Sequence, residues 1–289
     1  MADVWITDEV AAQVLAEATD ALGRDVVAGC RDEAALATTE FAQPALLACD
    51  VAAFRTLVAR GLWFGGAAGH SLGEFAALVA AGVLELGDAM RIVAVRGRAM
   101  QEAGEARPGT MTALLGVGVD DAAAICDEAR GDDVLLVANE NSPQQSVISG
   151  SVNAIELAES LAAERTIRAV RLNVAGAFHS PLMEPAVEPL SAAIDEAAFG
   201  TPAFPVASNV TGTLVTDPEE LRELAKRHVV SPVRWASCAA ALQTAGGDTF
   251  VEAGPGDVLT KLAKRVVPGA RAVAVGSPDA AATLAAEPR

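Results

Sequence analysis

The sequence predicts a mixed α/β protein with a small unit inserted into its core, and three features indicate this class. An apolar, glycine-rich stretch (62–68) leads into a tight turn and then into an unbroken apolar run (75–84), as strand, turn and helix. Residues 110–174 alternate as strand, helix, strand, strand, helix, strand, an order typical of a ferredoxin-like unit. After this unit the chain returns to helices and strands of the first type, so we expect two halves of one α/β core around an insertion.

Hydrophobic periodicity gives the order of the individual elements. Glu105-Ala-Arg-Pro-Gly109 is the first candidate boundary, so we predict a large subdomain from residues 1–108 and 176–289 and a small one from 109–175. The predicted helices are 8–22, 44–59, 75–84, 88–103, 120–130, 152–165, 181–198, 218–228, 233–245 and 257–267, and the predicted strands are 62–68, 110–117, 134–139, 146–150, 167–174, a short one near 206 and 249–252.

The composition excludes several classes of function. With 52% hydrophobic and 20% charged residues the chain is globular rather than disordered. Its net charge of −17 would repel phosphates, so nucleic acid is not an expected partner. No basic and apolar leader is visible at Met1, and the longest uninterrupted apolar run (75–84) is about half a bilayer span. We therefore expect a cytoplasmic protein with no membrane partner.

The sulfur and imidazole side chains do not form a recognisable metal or disulfide pattern. The four cysteines are scattered without C-x-x-C spacing, which is typical of buried free thiols in a reducing compartment. The three histidines show no H-x-x-H spacing. We therefore expect no metal site and no tightly bound cofactor.

The segment Gly69-His-Ser-Leu-Gly-Glu74 is the most informative in the chain. Ser71 lies at the apex of the predicted strand–turn–helix, with a glycine two residues away on each side, where a Cβ would obstruct the sharp turn. Such a turn exposes a serine hydroxyl beside a helix N-terminus, which favours negative charge. The alternative is a serine that only caps the helix. The full context of a nucleophile elbow is present, so Ser71 is our candidate nucleophile.

The extended motif resembles the nucleophile segment of the malonyl-CoA:acyl-carrier-protein transacylases and related acyltransferase domains of fatty-acid and polyketide synthesis. Residues 75–84 continue the likeness, which covers about 11–274. The resemblance implies an α/β-hydrolase-like core with a parallel sheet and an inserted ferredoxin-like subdomain. It also implies that a malonyl group passes from malonyl-CoA, through a malonyl-serine, to the phosphopantetheine thiol of acyl carrier protein. Leu72 would then supply an oxyanion-hole N–H.

A serine nucleophile needs a base. His70 adjoins Ser71 and should point away, whereas His179 lies between a strand and a helix that Ser180 can cap. The segment around His179 also resembles the family's histidine motif, so His179 is the candidate base; the alternative is a loop histidine without a role. In the family a backbone carbonyl orients the base, and residues 228–235 resemble the loop that supplies it. Because His228 ends a helix, an exposed side chain is expected there, with only its carbonyl in use.

Arg96 lies on the apolar stripe of the helix after the nucleophile. Burying a guanidinium there costs free energy unless a carboxylate pairs with it. It could reach solvent or pair with an internal acid. The matching arginine of the family binds the free carboxylate of malonate. By the same resemblance, Gln43, Asn141 and Phe178 should line the cleft, Phe178 weakly favouring malonyl over branched groups.

The sequence departs from the family at its front, because no G-Q-G loop is present to supply a second oxyanion donor. We expect either that the natural reading frame starts upstream or that this is a degenerate paralogue. Two alternatives therefore stay open. One is a serine esterase or thioesterase on an α/β-hydrolase core, and the other is a catalytically weak protein that binds the carrier protein.

Overall fold

The computed structural model describes residues 1–287 and has mixed α/β architecture; Pro288 and Arg289, at the predicted end of the large subdomain, lie outside the described residues. The helices are α1 Glu9–Leu22, α2 Val26–Gly29, α3 Glu33–Leu36, α4 Thr39–Ala59, α5 Gly73–Ala80, α6 Leu86–Ala106, α7 Val119–Ala129, α8 Val152–Glu164, α9 Val187–Asp195, α10 Pro218–Arg227, α11 Trp235–Thr244, α12 Val258–Val266 and α13 Pro278–Ala285. The strands are β1 Ala67–Ala68, β2 Gly109–Leu115, β3 Leu135–Ser142, β4 Gln145–Ser151, β5 Arg168–Arg171, β6 Val206–Ala207, β7 Leu214–Val215, β8 Thr249–Ala253 and β9 Arg271–Val275. Short 3₁₀ helices span Ala2–Val4, Pro181–Ala186 and His228–Val230.

Three long helices, α1, α4 and α6, pack together beneath the nucleophile turn. The α1 helix begins where Asp8 accepts a hydrogen bond from the Ala11 N–H, and it ends at the left-handed Gly23. By length and composition α4 could cross a membrane, but 67% of its apolar window is buried, as in the core helix of a folded domain. The largest buried apolar side chains of this core are Trp5, Phe41, Phe75, Leu47, Leu57, Leu78, Leu86, Met90, Ile92 and Met100.

The middle of the chain forms a separate four-stranded sheet in the order β3–β4–β2–β5. All of its neighbouring strands are antiparallel. Side chains of α7 and α8 bury one face of this sheet in a common apolar cluster, which includes Leu114, Ile125 and Ile155. The opposite face, with Met111 and Val147, packs against residues of the following segment. The sheet therefore has its own core and presents its second face to the rest of the molecule.

The strands of the remaining α/β part form two sheets rather than one. The short β1 pairs in parallel with β6, and β6 pairs antiparallel with β7. The other sheet contains β8 and β9, which are parallel. Within residues 1–287 no strand joins β1 to β8. The predicted strand 62–68 is consequently reduced to its last two residues, since a strand that has a neighbour on one side only forms few ladder hydrogen bonds.

A cavity of about 570 Å³ lies between these two sheets and is lined by residues of both β1 and β8. Trp235 and Thr260 also line it, and each has a buried polar atom (Nε1 and Oγ1) without a hydrogen-bond partner in the described part of the chain. Asp50 contributes a carboxyl group whose pKa is raised well above its ordinary value by burial and by the nearby Glu252. The cavity lies behind the nucleophile turn, which it touches at Gly69 and Gly73.

The sequence missed five elements: β7, β9, α13 and the four-residue helices α2 and α3. Periodicity is a weak signal for pieces as short as β7, α2 and α3. The observed β9 follows the surface turn around Gly269, whose φ is 88°, and it gains its stability from pairing with β8. Pro44 was expected to start a helix, but α4 begins five residues earlier, where Thr38 accepts the Phe41 N–H.

We predict opposite effects for the two glycines of the nucleophile motif. A Cβ on Gly69 would lie 1.8 Å from the backbone carbon of Gly73, whereas a Cβ on Gly73 would meet nothing within 4 Å. Gly69→Ala should lower the free energy of unfolding by about 3 kcal/mol. Gly73→Ala is the matched control and should leave it unchanged or raise it by up to about 1 kcal/mol, because alanine favours the first turn of α5. Urea unfolding followed by circular dichroism measures both, and equal losses would contradict the assigned packing.

Candidate active site

The candidate nucleophile lies in a strained turn between β1 and α5. Ser71 adopts a left-handed backbone conformation with φ of 53°, which a non-glycine residue rarely takes. The Glu74 N–H donates to the Ser71 carbonyl (3.0 Å), and the close approach of Gly69 to Gly73 lets the turn close. Of the two glycines that the sequence marked as necessary, only Gly69 is sterically required. The turn directs the Ser71 hydroxyl towards His179 and Arg96.

Two buried polar residues that the sequence analysis did not assign to the site hold this turn. The Asn209 Oδ1 accepts the Ser71 N–H (2.8 Å), and its Nδ2 donates to the Gly69 carbonyl (2.7 Å). The Asn209 N–H in turn donates to Glu74 Oε2 (2.7 Å). A signal for Asn209 was available, because it follows the apolar pair Val206-Ala207 and carboxyl ends of parallel strands meet at one edge. For Glu74 the signal was a carboxylate beside an unbroken apolar helix.

His179 lies opposite Ser71 and is held by two backbone carbonyl groups. Its Nε2 is 2.7 Å from Ser71 Oγ, and its Nδ1 is 3.0 Å from the Ser231 carbonyl and 3.2 Å from that of His228. Since carbonyls only accept, Nδ1 carries the proton and Nε2 offers its lone pair to the serine. The φ of 58° shows a second strained residue. Ser180 caps the following 3₁₀ turn through the Leu182 N–H, as expected.

The His228 side chain lies inside the protein, although its position at the end of α10 predicted an exposed one. It is 1% exposed, and its ring makes edge-to-face contacts with the rings of Phe75 and His179. The reason is that the chain turns inward through the 3₁₀ turn His228–Val230, which buries Val229 as well. The predicted use of the His228 carbonyl agrees with the observed contact, but the Ser231 carbonyl is nearer to His179.

Arg96 projects from α6 into the same site. It is 1% exposed, so its guanidinium does not reach solvent, and within residues 1–287 no carboxylate forms a salt bridge with it. Its Nη1 donates to the Gln43 Oε1, and its Nη2 lies 3.1 Å from Ser71 Oγ and 3.4 Å from His228 Nδ1. Its Nε has no partner among the described residues. The site therefore contains a buried positive charge directed at the nucleophile and not neutralised by direct pairing with a carboxylate.

The other predicted site residues take different places. Gln43 is buried and bonds directly to Arg96. The Asn141 side chain, from β3, forms a hydrogen bond with His70 Nε2 (2.8 Å) and so contacts the nucleophile turn only indirectly. The His70 ring points away from the Ser71 hydroxyl. Phe178 is half-buried and packs between the two cores. Leu72 precedes α5, and among residues 1–287 no acceptor meets its backbone N–H.

Burial governs the titration of the site. It lowers the pKa of His179 to about 3, with a further contribution from the positive charge of Arg96. Burial also lowers the pKa of Arg96 to about 10, against the attraction of Glu74. It raises the pKa of Glu74 to about 7, although hydrogen bonds from Asn209 and Ser208 oppose this. At neutral pH the site thus holds uncharged imidazoles around a charged guanidinium, which suits His179 to accept a proton.

No group of three or more histidine, cysteine, aspartate or glutamate side chains able to hold a metal ion occurs in the described part of the chain. The chemistry that these residues can perform is nucleophilic attack by Ser71 with His179 as base. The arginine, 3.1 Å from the Ser71 hydroxyl, adds a binding point for a negatively charged group close to the nucleophile.

Comparison with known proteins identifies relatives over nearly the whole chain. Residues 5–284 match the family model described as "Acyl transferase domain". The chain is 37% identical over 289 residues to the malonyl CoA-acyl carrier protein transacylase of Escherichia coli (strain K12), an alignment that covers 98% of this chain and 93% of that protein.

Solved structures show the same similarity. The malonyl-CoA:acyl carrier protein transacylase of Xanthomonas oryzae superposes with a TM-score of 0.92 and 38% identity, over 96% of this chain and 90% of that one. A malonyl-transacylase solved in complex with a type II PKS acyl-carrier protein superposes with a TM-score of 0.92 and 36% identity, over 98% and 93% of the two chains. Family model, relatives and structures agree over nearly the whole length, and the chain belongs to the acyl transferase domain family.

Proposed function

We propose that this protein transfers a malonyl group from malonyl-CoA to the phosphopantetheine thiol of an acyl carrier protein. The observation that carries the proposal is Arg96, a buried guanidinium 3.1 Å from the Ser71 hydroxyl and without a carboxylate partner in the described chain. A malonyl group bound to Ser71 would bring the missing carboxylate. The relatives named above are malonyl-CoA:acyl carrier protein transacylases, which supports the same acyl donor and acceptor.

In the first half-reaction, His179 Nε2 takes the proton of Ser71 Oγ, and the oxygen attacks the thioester carbonyl of malonyl-CoA. The tetrahedral oxyanion forms beside the N-terminus of α5, where the Leu72 N–H is an available donor. The carbon–sulfur bond breaks, and the coenzyme A sulfur leaves with the proton that His179 carried. The product is a malonyl ester of Ser71.

In the second half-reaction, the phosphopantetheine thiol gives its proton to His179 and attacks the ester carbonyl. The carbon–oxygen bond breaks, and Ser71 recovers its proton from His179. The Ser231 and His228 carbonyls stabilise the imidazolium in both halves, because they accept its Nδ1–H. The two half-reactions are symmetrical about the acyl-enzyme, so the transfer follows ping-pong kinetics and needs no cofactor.

We also propose that the chain is divided into two subdomains. Residues 109–175 would be a ferredoxin-like small subdomain, supported by the antiparallel order β3–β4–β2–β5 with two helices on one face. Residues 1–108 and 176–289 would be an α/β-hydrolase-like large subdomain, supported by the strand–turn–helix at Ser71. The Asn139–Val233 bridge would then join the two at the cleft.

Acyl-enzyme formation is the direct test. After brief exposure to malonyl-CoA, the intact mass should increase by one malonyl group, and Ser71→Ala should abolish the increment because no nucleophile remains. Ser180→Ala is the matched control and should keep it, since the Ser180 hydroxyl bonds to the Ala177 carbonyl and the Leu182 N–H and not to Ser71. Malonate release without an increment would favour an esterase or thioesterase. Carrier-protein binding without acylation would favour a weak binding paralogue.

Arg96 should decide between acyl groups. Arg96→Ala should lower kcat/KM for malonyl-CoA by about 10- to 100-fold, the usual loss of a hydrogen bond to a charged group, and should lower that for acetyl-CoA less or not at all. Arg96→Lys keeps the positive charge but loses the paired N–H donors of the guanidinium. Its kcat/KM for malonyl-CoA should therefore lie between those of wild type and Arg96→Ala. Steady-state kinetics with both thioesters measure this, and equal losses for both would contradict a carboxylate-binding role.

The acidic limb of the pH–rate profile should lie at a pH far below the ordinary pKa range of histidine. Since burial lowers the pKa of His179 to about 3, kcat/KM for acylation should not fall near pH 6.5 but only in more acidic solution. Glu74→Gln is the control, because the pKa of Glu74 is about 7 and its titration could otherwise be mistaken for that of the base. A limb at pH 6.5 that persists in this variant would contradict the assignment.

The same shifts set the pH dependence of stability with opposite signs. Below about pH 6.5 the unfolded chain protonates His179 and the folded site does not, so this contribution to stability is lost as pH falls towards 3. The contribution of Glu74 is present below about pH 4.5 and is lost as pH rises through 7. Kinetic profiles are therefore taken only where circular dichroism shows the fold intact.

A further inference from the structure

The side chain of His228 lies between the substrate-binding and the nucleophilic parts of the site. Its Nδ1 is 3.4 Å from Arg96 Nη2, and its Nε2 is 3.2 Å from Asn209 Oδ1, the oxygen that accepts the Ser71 N–H. The mechanism above uses only the backbone carbonyl of this residue. Because the buried His228 imidazole contacts both Arg96 and Asn209, its side chain can also influence how the site binds substrate.

We propose that the neutral imidazole of His228 is a positioning residue that fixes the Arg96 guanidinium without neutralising it, and so sets the selectivity for acyl groups that end in a carboxylate. The proposal deepens the proposed function and rests on it. Its structural basis is the chain of contacts from Arg96 through His228 to Asn209 and the nucleophile turn.

The hydrogen-bond partners determine the protonation of the ring. Asn209 donates from Nδ2 to the Gly69 carbonyl and accepts the Ser71 N–H at Oδ1, so its amide orientation is fixed. The ring nitrogen facing Oδ1 must therefore carry the proton. The other ring nitrogen faces Arg96, which only donates, and must offer its lone pair. Both requirements are met by a single form, the neutral tautomer with its proton on Nε2.

The surroundings also favour the uncharged ring. The charged and titratable groups around it are Arg96 from α6, Glu74 from α5, His179 from the loop before the Pro181–Ala186 3₁₀ helix and His70 from the nucleophile turn. Burial lowers the pKa of His228 well below its ordinary value, and the positive charge of Arg96 acts in the same direction. Glu74 Oε2, 3.6 Å from Nε2, is the one acid among these neighbours, and burial raises its own pKa to about 7.

A neutral acceptor has a specific consequence for Arg96. Gln43 and His228 fix the guanidinium through oxygen and nitrogen lone pairs that carry no formal charge. An aspartate or glutamate at position 228 would hold the arginine equally well but would satisfy its charge, and a substrate carboxylate would then have to compete. The imidazole thus provides geometry while leaving the electrostatic attraction for the substrate.

The test compares three substitutions at one position. His228→Gln offers one acceptor and one donor, so the malonyl-CoA to acetyl-CoA ratio of kcat/KM should stay within about 3-fold of wild type. His228→Leu has neither, and the ratio should fall by about 10- to 100-fold, mainly through the KM for malonyl-CoA. His228→Glu should lose malonyl transfer selectively, because the new carboxylate pairs with Arg96. An unchanged ratio in a folded leucine variant would overturn the proposal.

A second measurement is independent of activity. The chain has three histidines, so nitrogen-15 spectra of the imidazoles can be assigned by comparison with His228→Gln. We expect His228 to remain the neutral Nε2–H tautomer from about pH 5.5 to 8. An imidazolium or an Nδ1–H tautomer would overturn the proposal even if no variant could be assayed. If wild type forms no acyl-enzyme while the tautomer is as expected, the proposed function fails and the placement of His228 stands.

Discussion

The hydrogen bonds of Asn209 are the constraint on which the site depends. One side-chain amide holds the N–H of Ser71, the candidate nucleophile, and the carbonyl of Gly69, and the backbone N–H of Asn209 is held by Glu74. Ser71 keeps a left-handed conformation that costs about 1–3 kcal/mol on its own. These bonds offset that cost and direct the hydroxyl to His179. The position of every other reacting group is defined relative to this turn.

The electrostatics of the site follow from burial in the same small volume. The Arg96 guanidinium, the Glu74 carboxyl group and the His179 imidazole each lie beside the His228 ring, and all four groups are almost fully shielded from water. Water exclusion penalises every charge, so the histidines stay neutral and Glu74 titrates near neutrality. Arg96 keeps its full charge at neutral pH, because burial lowers its pKa only to about 10. The result is a site with one unmatched cation, which is the property that a dicarboxylic thioester would recognise.

Local features of the sequence mark three candidate site residues that the structure brings together. Ser71 lies in a glycine-flanked turn, and Arg96 places a charge on an apolar helix stripe. His179 lies between a predicted strand and a helix-capping serine. The sequence was insufficient for groups whose importance arises only from folding. The burial of His228 depends on a 3₁₀ turn that periodicity does not encode. The place of Asn209 after a strand was a signal, but it does not show that its side chain would reach Ser71, 138 positions away. The extent of β1 also depended on pairing, which a local pattern cannot reveal.

The cavity between β1 and β8 affects how firmly the Ser71 turn is held. In the described chain β1 is secured by β6 alone, over two residue pairs, and its other side borders open volume. A sheet therefore provides little of the rigidity that the nucleophile needs, and side-chain amide bonds carry it in its place. The position of Ser71 is therefore set by the hydrogen bonds of Asn209 with Ser71, Gly69 and Glu74 more than by a ladder of strands.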